Sequence, residues 1–266
     1  MTFVEDDRWF LRGLATQFRT IGALILRETH TRFGRDNIGY LWLFVEPGSL
    51  ATGVAGMHIA LNIQLPPGMQ VASFYLAGYT PYSLFRSIVS RAATAVEANG
   101  TLLYHKQVTL LDLVLSRAIL DFFSTLTAAV LLLGLAQVLG LGQLPAHPLR
   151  FLEGWGLCIW FSTALSMLIL SGSVYTTAME RFVQPAIYLL MPLSNAFTVF
   201  EQLSPEFRSV LEWVPMAQYE EIVREGLFDH FQSQYSNATY VVYWCLGLTL
   251  AGLLALRRAR EKVEFE

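Results

Sequence analysis

The sequence predicts an all-α integral membrane protein: an interfacial amphipathic helix, six transmembrane helices, and short periplasmic or re-entrant helices between spans five and six. Composition is the first reason, since 54% of the 266 residues are hydrophobic and 15% charged, against about 25% charged in soluble domains. Spacing is the second. Six apolar runs, each near the roughly 20 residues that cross a bilayer, take up most of the chain. Charge distribution is the third. Threaded from a cytoplasmic N-terminus, the inner segments hold Arg8, Arg12, Arg19, Arg27, Arg32, Arg35, Lys106, Arg181, Arg257, Arg258, Arg260 and Lys262. The outer segments hold only Arg150, Arg208 and Arg224. That asymmetry puts both termini in the cytoplasm.

Residues 8–26 space Leu11, Leu14, Phe18, Ile21 and Ile25 by threes and fours, with Arg8, Arg12 and Arg19 on another face. This is the pattern of a helix lying in the membrane interface. Glu5, Asp6, Asp7 and Arg8 precede it, with no apolar stretch and small-residue cleavage site before Arg27, so no cleavable signal is expected. The apolar runs cover 40–63, 71–95, 109–139, 154–178, 183–200 and 238–256. The first run ends before Pro66-Pro67-Gly68, a turn signal, and Gly140, Gly142, Pro145 and Pro148 mark the loop after the third run. Met179-Glu-Arg-Phe182 reads as a very short loop, and Pro185 and Pro192 predict a kinked fifth helix. Residues 201–237 mix apolar side chains with Glu201, Glu206, Glu212, Glu220, Glu221, Glu225 and Asp229. They are expected to form helices at the outer membrane surface or a re-entrant hairpin. The whole chain is then one transmembrane domain, with 1–37 as interfacial segment, 38–256 as bundle and 257–266 as cytoplasmic tail.

Several chemistries are unsupported. Lys106 and Lys262, the two lysines, sit in no glycine-rich phosphate loop. Cys158 and Cys245 fall in apolar runs and the five histidines are scattered, so no metal or disulfide site is expected. No internal repeat suggests an inverted-repeat transporter. Charges inside the apolar runs are a different matter, because facing lipid costs them several kcal/mol. Glu46 would lie roughly 10 Å below the interface. Arg86 and Arg91 lie in the second run, and Arg117 with Asp121 forms an i, i+4 pair in the third. Arg91 sits near enough to the boundary to snorkel. Arg86, with Tyr79 and Tyr82 on nearby turns, is suited to a hydroxyl-rich or anionic ligand, since guanidinium binds oxyanions in bidentate fashion and aromatic faces stack on sugars.

Between the second and third runs, Glu97, Asn99, Gly100, His105 and Lys106 give a cytoplasmic loop a polar edge, while Leu102, Leu103 and Tyr104 give it an apolar anchor. It is either a docking element for a soluble partner or an ordinary connection.

The segment Arg27-Glu-x-x-x-Arg32-Phe-Gly-x-x-x-Ile-Gly39-Tyr-Leu-Trp42-x-x-x-Glu46-Pro47 resembles the N-terminal signature of type-2 ABC exporter permeases, within them the KpsM-like capsular polysaccharide export family. Asn99-Gly-Thr-Leu-Leu103, with Val108-Thr-x-Leu-Asp112 and Ser116-Arg117, resembles that family's coupling loop and the start of its third span, although Thr109-Leu110 stands where many relatives carry proline. The resemblance implies a homodimer in the bacterial inner membrane bound to two ATPase subunits, which alone bind ATP and Mg. It implies a lipid-linked acidic polysaccharide as cargo, with a periplasmic co-polymerase and an outer-membrane export protein taking it onward, membrane lipids around it, and no nucleic acid. On this reading Trp42, Glu46, Tyr79, Tyr82, Arg86 and Arg91 belong to the substrate path. Glu97, Asn99, Gly100, His105 and Lys106 couple to the ATPase, and Arg8, Arg12 and Arg19 lie on the interfacial helix.

An O-antigen or teichoic-acid exporter shares this machinery. A membrane-embedded glycan or acyl transferase would need an acid or base from Glu220, Glu221, Glu225 or Asp229. The four-residue spacing of the last three is more simply a solvated or partner-binding helix face.

Overall fold

In a computed structural model the chain is described at residues 3–33, 38–61, 65–100, 108–176 and 178–265, with backbone alone at 3–10, 32–33, 38–43, 59 and 263–265. Helices are the only regular structure among these residues. We number them α1 (Phe3–Phe33), α2 (Ile38–Ala60), α3 (Val71–Ala93), α4 (Ala95–Ala98), α5 (Leu110–Val138), α6 (Pro148–Tyr175), α7 (Ala178–Leu193), α8 (Pro205–Leu211), α9 (Pro215–Leu227) and α10 (Ala238–Phe265), with a 3-10 turn at Phe200–Gln202. Helices occupy all six predicted spans. Three of them, α5, α6 and residues Ala238–Lys262 of α10, are long and apolar enough to cross a membrane by length and composition.

The N-terminal helix is longer than its amphipathic core predicted, running 31 residues, about 46 Å. It packs on α5. Its apolar residues divide between two duties: Ile21 and Leu24 are buried, whereas Leu11, Phe18 and Leu26 are exposed. Helix α5 begins with a capping box: Thr109 Oγ1 accepts the Asp112 amide at 3.2 Å, and Asp112 Oδ2 accepts the Thr109 amide at 3.0 Å. The pair satisfies two otherwise orphaned amides, so the turn forms without proline at this position.

Helix α6 is the hub on which α10, α9 and α3 all pack. It starts at Pro148, earlier than the apolar run indicated, because proline fits the first helical position, where no amide donor is needed. The short loop expected at 179–182 lies instead within α7. The chain breaks earlier, at extended Thr176, whose hydroxyl accepts the Ala178 amide at 3.2 Å and caps the new helix. Helix α7 correspondingly ends at Leu193, not near 200. Asn195 follows in the left-handed region at φ 63, a turn that its side-chain bonds to Glu221 and Thr198 hold in place. The tail from Arg257 continues α10 to Phe265.

Within residues 201–237 the structure overturns the solvated helix face expected for Glu221 and Glu225. Helix α8 does expose Phe207 and Val210, with Trp213 exposed just beyond it. Helix α9 is instead enclosed: every residue from Pro215 to Leu227 is buried, against α6, α3 and α10. Glu221 and Glu225 therefore do not form a solvated face; only Asp229, beyond the helix, is exposed.

Candidate functional site

Helix α3 is divided lengthwise by the chemistry of its side chains. From Ser73 to Tyr82 every residue is buried, Pro81 included. Beyond that point the buried positions are all apolar: Leu84, Phe85, Ile88, Val89, Ala92 and Ala93. The half-buried positions are all polar: Ser83, Arg86, Ser87, Ser90 and Arg91. Ser83, Ser87 and Ser90 follow helical spacing and so form a stripe. Sequence reasoning missed these serines, because serine is common in membrane helices and only the burial of their neighbours sets them apart.

Both arginines of this stripe, and Arg117 of α5, meet carboxylates on other helices. Arg86 is ion-paired with Glu46 of α2, with side-chain exposures of 29% and 38%. Glu46 follows the start of α2 and Arg86 precedes the end of α3 by about two helical turns each. Arg91 pairs with Asp121 of α5 at 3.6 Å, and Arg117 with Glu28 of α1 at 3.5 Å. The described ion pairs of these residues thus cross between helices, where the sequence had suggested an i, i+4 pair within α5. Arg117 also donates to the Arg91 carbonyl at 3.2 Å, tying the ends of α3 and α5 together.

Tyr79 and Tyr82 lie inside the subunit. Tyr79 stacks on Phe197 at 6.3 Å between ring centroids, and Tyr82 donates to the Ile187 carbonyl of α7 at 2.7 Å. The side chains of Trp42 and Arg8, and residues 101–107 with His105 and Lys106, lie outside the description. Arg12 and Arg19 are exposed on α1.

At the predicted coupling loop, Glu97 and Gly100 are exposed while Asn99 is buried. Asn99 Nδ2 donates to the Ala95 carbonyl at 2.9 Å, and its Oδ1 accepts Arg27 Nη1 of α1 at 3.3 Å. At the far foot of the loop, Gln17 Nε2 of α1 donates to Asp112 Oδ1 at 3.3 Å. Helix α1 therefore grips both feet of the loop, about 15 Å apart along its own length.

The second polar centre, in α9, was also misread from sequence. Arg224 is fully buried; it donates to the carbonyls of Asn195 at 2.7 Å and Ala196 at 2.8 Å and lies 4.6 Å over the Phe74 ring. Glu221 Oε1 accepts from Asn195 Nδ2 at 2.6 Å and from the Phe200 amide at 2.9 Å, with Arg224 at 3.9 Å. Gly78 makes the approach feasible, since a Cβ there would collide with the Ala196 carbonyl. Glu225 accepts Arg150 through Nε at 2.8 Å and Nη2 at 2.7 Å. Glu220 is enclosed, and neither of its oxygens has a hydrogen-bond partner among the described residues. At 13 residues, about 20 Å, α9 is too short to span a bilayer. Burial drives the carboxyls of Glu220 and Glu221 above the usual range, Glu221 to about 7, with Arg224 opposing the shift in both. This is a packed anchor for the 195–200 turn, not an acid-base pair open to a substrate.

No family model matches the chain. Over 255 residues, 96% of this chain and 96% of the relative, it is 32% identical to the capsule polysaccharide export inner-membrane protein CtrC of Neisseria meningitidis serogroup B. It is 29% identical over 259 residues, 97% and 98% of the two chains, to the capsule polysaccharide export inner-membrane protein BexB of Haemophilus influenzae. Over 250 residues, 94% and 96%, it is 26% identical to the polysialic acid transport protein KpsM of Escherichia coli.

Proposed function

The chain belongs to the capsule polysaccharide export inner-membrane proteins, and on that premise we propose that it is the permease subunit of an ATP-driven exporter moving lipid-linked, acidic capsular polysaccharide from cytoplasm to periplasm. The observation that carries a hydrophilic passage is the half-buried polar stripe of α3, joined to Glu46 of α2 through Arg86. In a helix otherwise sealed by apolar side chains, such a stripe needs water, a partner chain or a polar cargo beside it.

The remaining parts of the proposal follow from the same arrangement. Helices α2, α3, α5, α6, α7 and α10 are six spans with both termini in the cytoplasm. Two copies of the chain enclose the passage. The exposed small residues Ser49, Thr52, Gly53 and Gly56 of α2 favour close approach of another helix. Energy comes from two copies of a separate ABC ATPase, which hold ATP and Mg, because the sequence contains no phosphate-binding loop. They engage the loop around Glu97, Asn99 and Gly100, and α1 moves with it. A periplasmic co-polymerase and an outer-membrane protein receive the glycan.

The test is reconstitution of this chain with its ATPase in inverted vesicles and measurement of ATP-dependent uptake of lipid-linked glycan. Uptake that requires both chains, and that falls on charge reversal at Glu97 while the chain still inserts, is the expected result. Turnover of a lipid-linked sugar by this chain alone would overturn the reading in favour of an enzyme.

A further inference from the structure

We propose that Glu46 sets substrate affinity by competing with the passing anion for Arg86, so that each oxyanion of the cargo is held only transiently. This rests on the reading of the α3 stripe as the path. A polymer bearing many negative charges poses a physical difficulty for any path lined with arginine. An unpaired guanidinium in a medium of low dielectric holds a carboxylate or phosphate strongly. Conduction needs binding strong enough to admit the cargo and weak enough to release it.

All three arginines of this region have a carboxylate partner, but the partners differ in freedom. Asp121, which receives Arg91, is 2% exposed; Glu28, which receives Arg117, is 24% exposed; Glu46 is 38% exposed, the most open of the three. Glu46 is therefore the carboxylate with room to swing aside, and Arg86, 29% exposed, is the guanidinium it releases. Ser83, Ser87 and Ser90 beside it offer uncharged donors and acceptors for sugar hydroxyls, which adds contact without adding charge. The intramolecular carboxylate acts as a permanent competitor present at high effective concentration. An oxyanion arriving on the cargo exchanges with it, and Glu46 reclaims Arg86 when the cargo advances.

The oxyanion is either a carboxylate of the glycan or a phosphate of its lipid anchor, and the substrates of the test separate the two. In the reconstituted permease with its ATPase, Glu46→Gln should lower the half-saturating concentration of native acidic glycan about fivefold and lower the maximal export rate with it. Glu46→Asp should keep the wild-type values, and Glu46→Gln combined with Arg86→Gln should lose the tightening. If carboxyl-reduced glycan on its phosphate anchor abolishes the effect, the exchanging group is the sugar carboxylate; if the effect persists there and disappears only without the phosphate, it is the anchor. Either supports the exchange. Unchanged constants in Glu46→Gln, or an equal change with a substrate lacking both anions, would overturn it. Melting temperature and co-purification of the ATPase, measured on each variant, separate misfolding from altered affinity, and Arg86→Glu with Glu46→Arg gives a second, charge-conserving arm that should restore assembly. A wild-type complex that exports no glycan of any kind would instead refute the proposed function itself.

Discussion

Replacing Arg224 with leucine should strongly destabilise the packing of α9 on the 195–200 turn. The guanidinium donates to two carbonyls, Asn195 and Ala196, at 2.7 and 2.8 Å, and stands beside Glu221 in a fully buried site. Leucine keeps the contact with Phe74 but leaves both carbonyls and the acid behind. Removing one partner of a buried charged pair costs about 3–5 kcal/mol. Glu221, already raised to about 7, can take up a proton and place the loss toward the lower end. For a chain of this size that corresponds to a fall in melting temperature of about 6–10 °C, followed by tryptophan fluorescence of the purified subunit in lipid nanodiscs. Cys158, buried behind α9 and near Glu220, should become reactive to a thiol reagent at lower temperature. Glu220→Gln is the control, because Glu220 has no hydrogen-bond partner among the described residues and burial favours its neutral form, so the change should cost under about 1 kcal/mol. Equal losses in the two variants, or a shift below about 2 °C in Arg224→Leu, would refute the assignment of Arg224 as the pin of the 195–200 turn.

Stability should fall as pH rises from about 4.5 toward 7: the unfolded Glu221 carboxyl loses its proton near 4.5 and the folded one near 7, so unfolding releases a proton throughout that window. Melting curves across it should slope accordingly, and Glu220→Gln should remove the share contributed by Glu220, which burial also raises. Gly78→Ala should disrupt folding, since its methyl would meet the Ala196 carbonyl; protease resistance equal to wild type would contradict the close packing of α3 on this turn. Glu28→Arg and Arg117→Glu should each lower the fraction of ATP hydrolysis stimulated by glycan, and the double exchange should recover it. Failure of the double exchange would mean that the 3.5 Å pair does not hold α1 to α5.

The long apolar helices were legible because nothing but a bilayer rewards such runs, and the N-terminal helix because its period is helical. What the sequence hid was where one helix yields to another. Thr176 acts through a single hydroxyl contact, and a hydroxyl cap looks like any other threonine until the amide it accepts is known. The α7 boundary moved for that reason. Helix α9 was obscured by its own composition: four charged residues among thirteen read as a wet surface. Arg150 arriving from α6 and the Asn195 turn arriving from the end of α7 satisfy two of the acids, and neither approach has a sequence signal.

The charged contact between α2 and α3 was legible in part for a related reason. Arginine and glutamate inside apolar runs announce themselves by their cost, and Glu46 and Arg86 were found that way even though their pairing was not. Tyr79 and Tyr82 were drawn to the same face by proximity on the helix, but a tyrosine is also a large apolar ring, and both are spent on packing inside the subunit. The serines carry the opposite lesson. Each is individually unremarkable, and their meaning lies in the contrast between polar half-buried positions and apolar buried ones along one helix. A path for a sugar polymer built on that contrast depends less on strong binding residues than on what remains open once packing is complete. On the proposed reading, Arg86 with Glu46 is the more open of the strip's two charged contacts, since Arg91 is held by the buried Asp121.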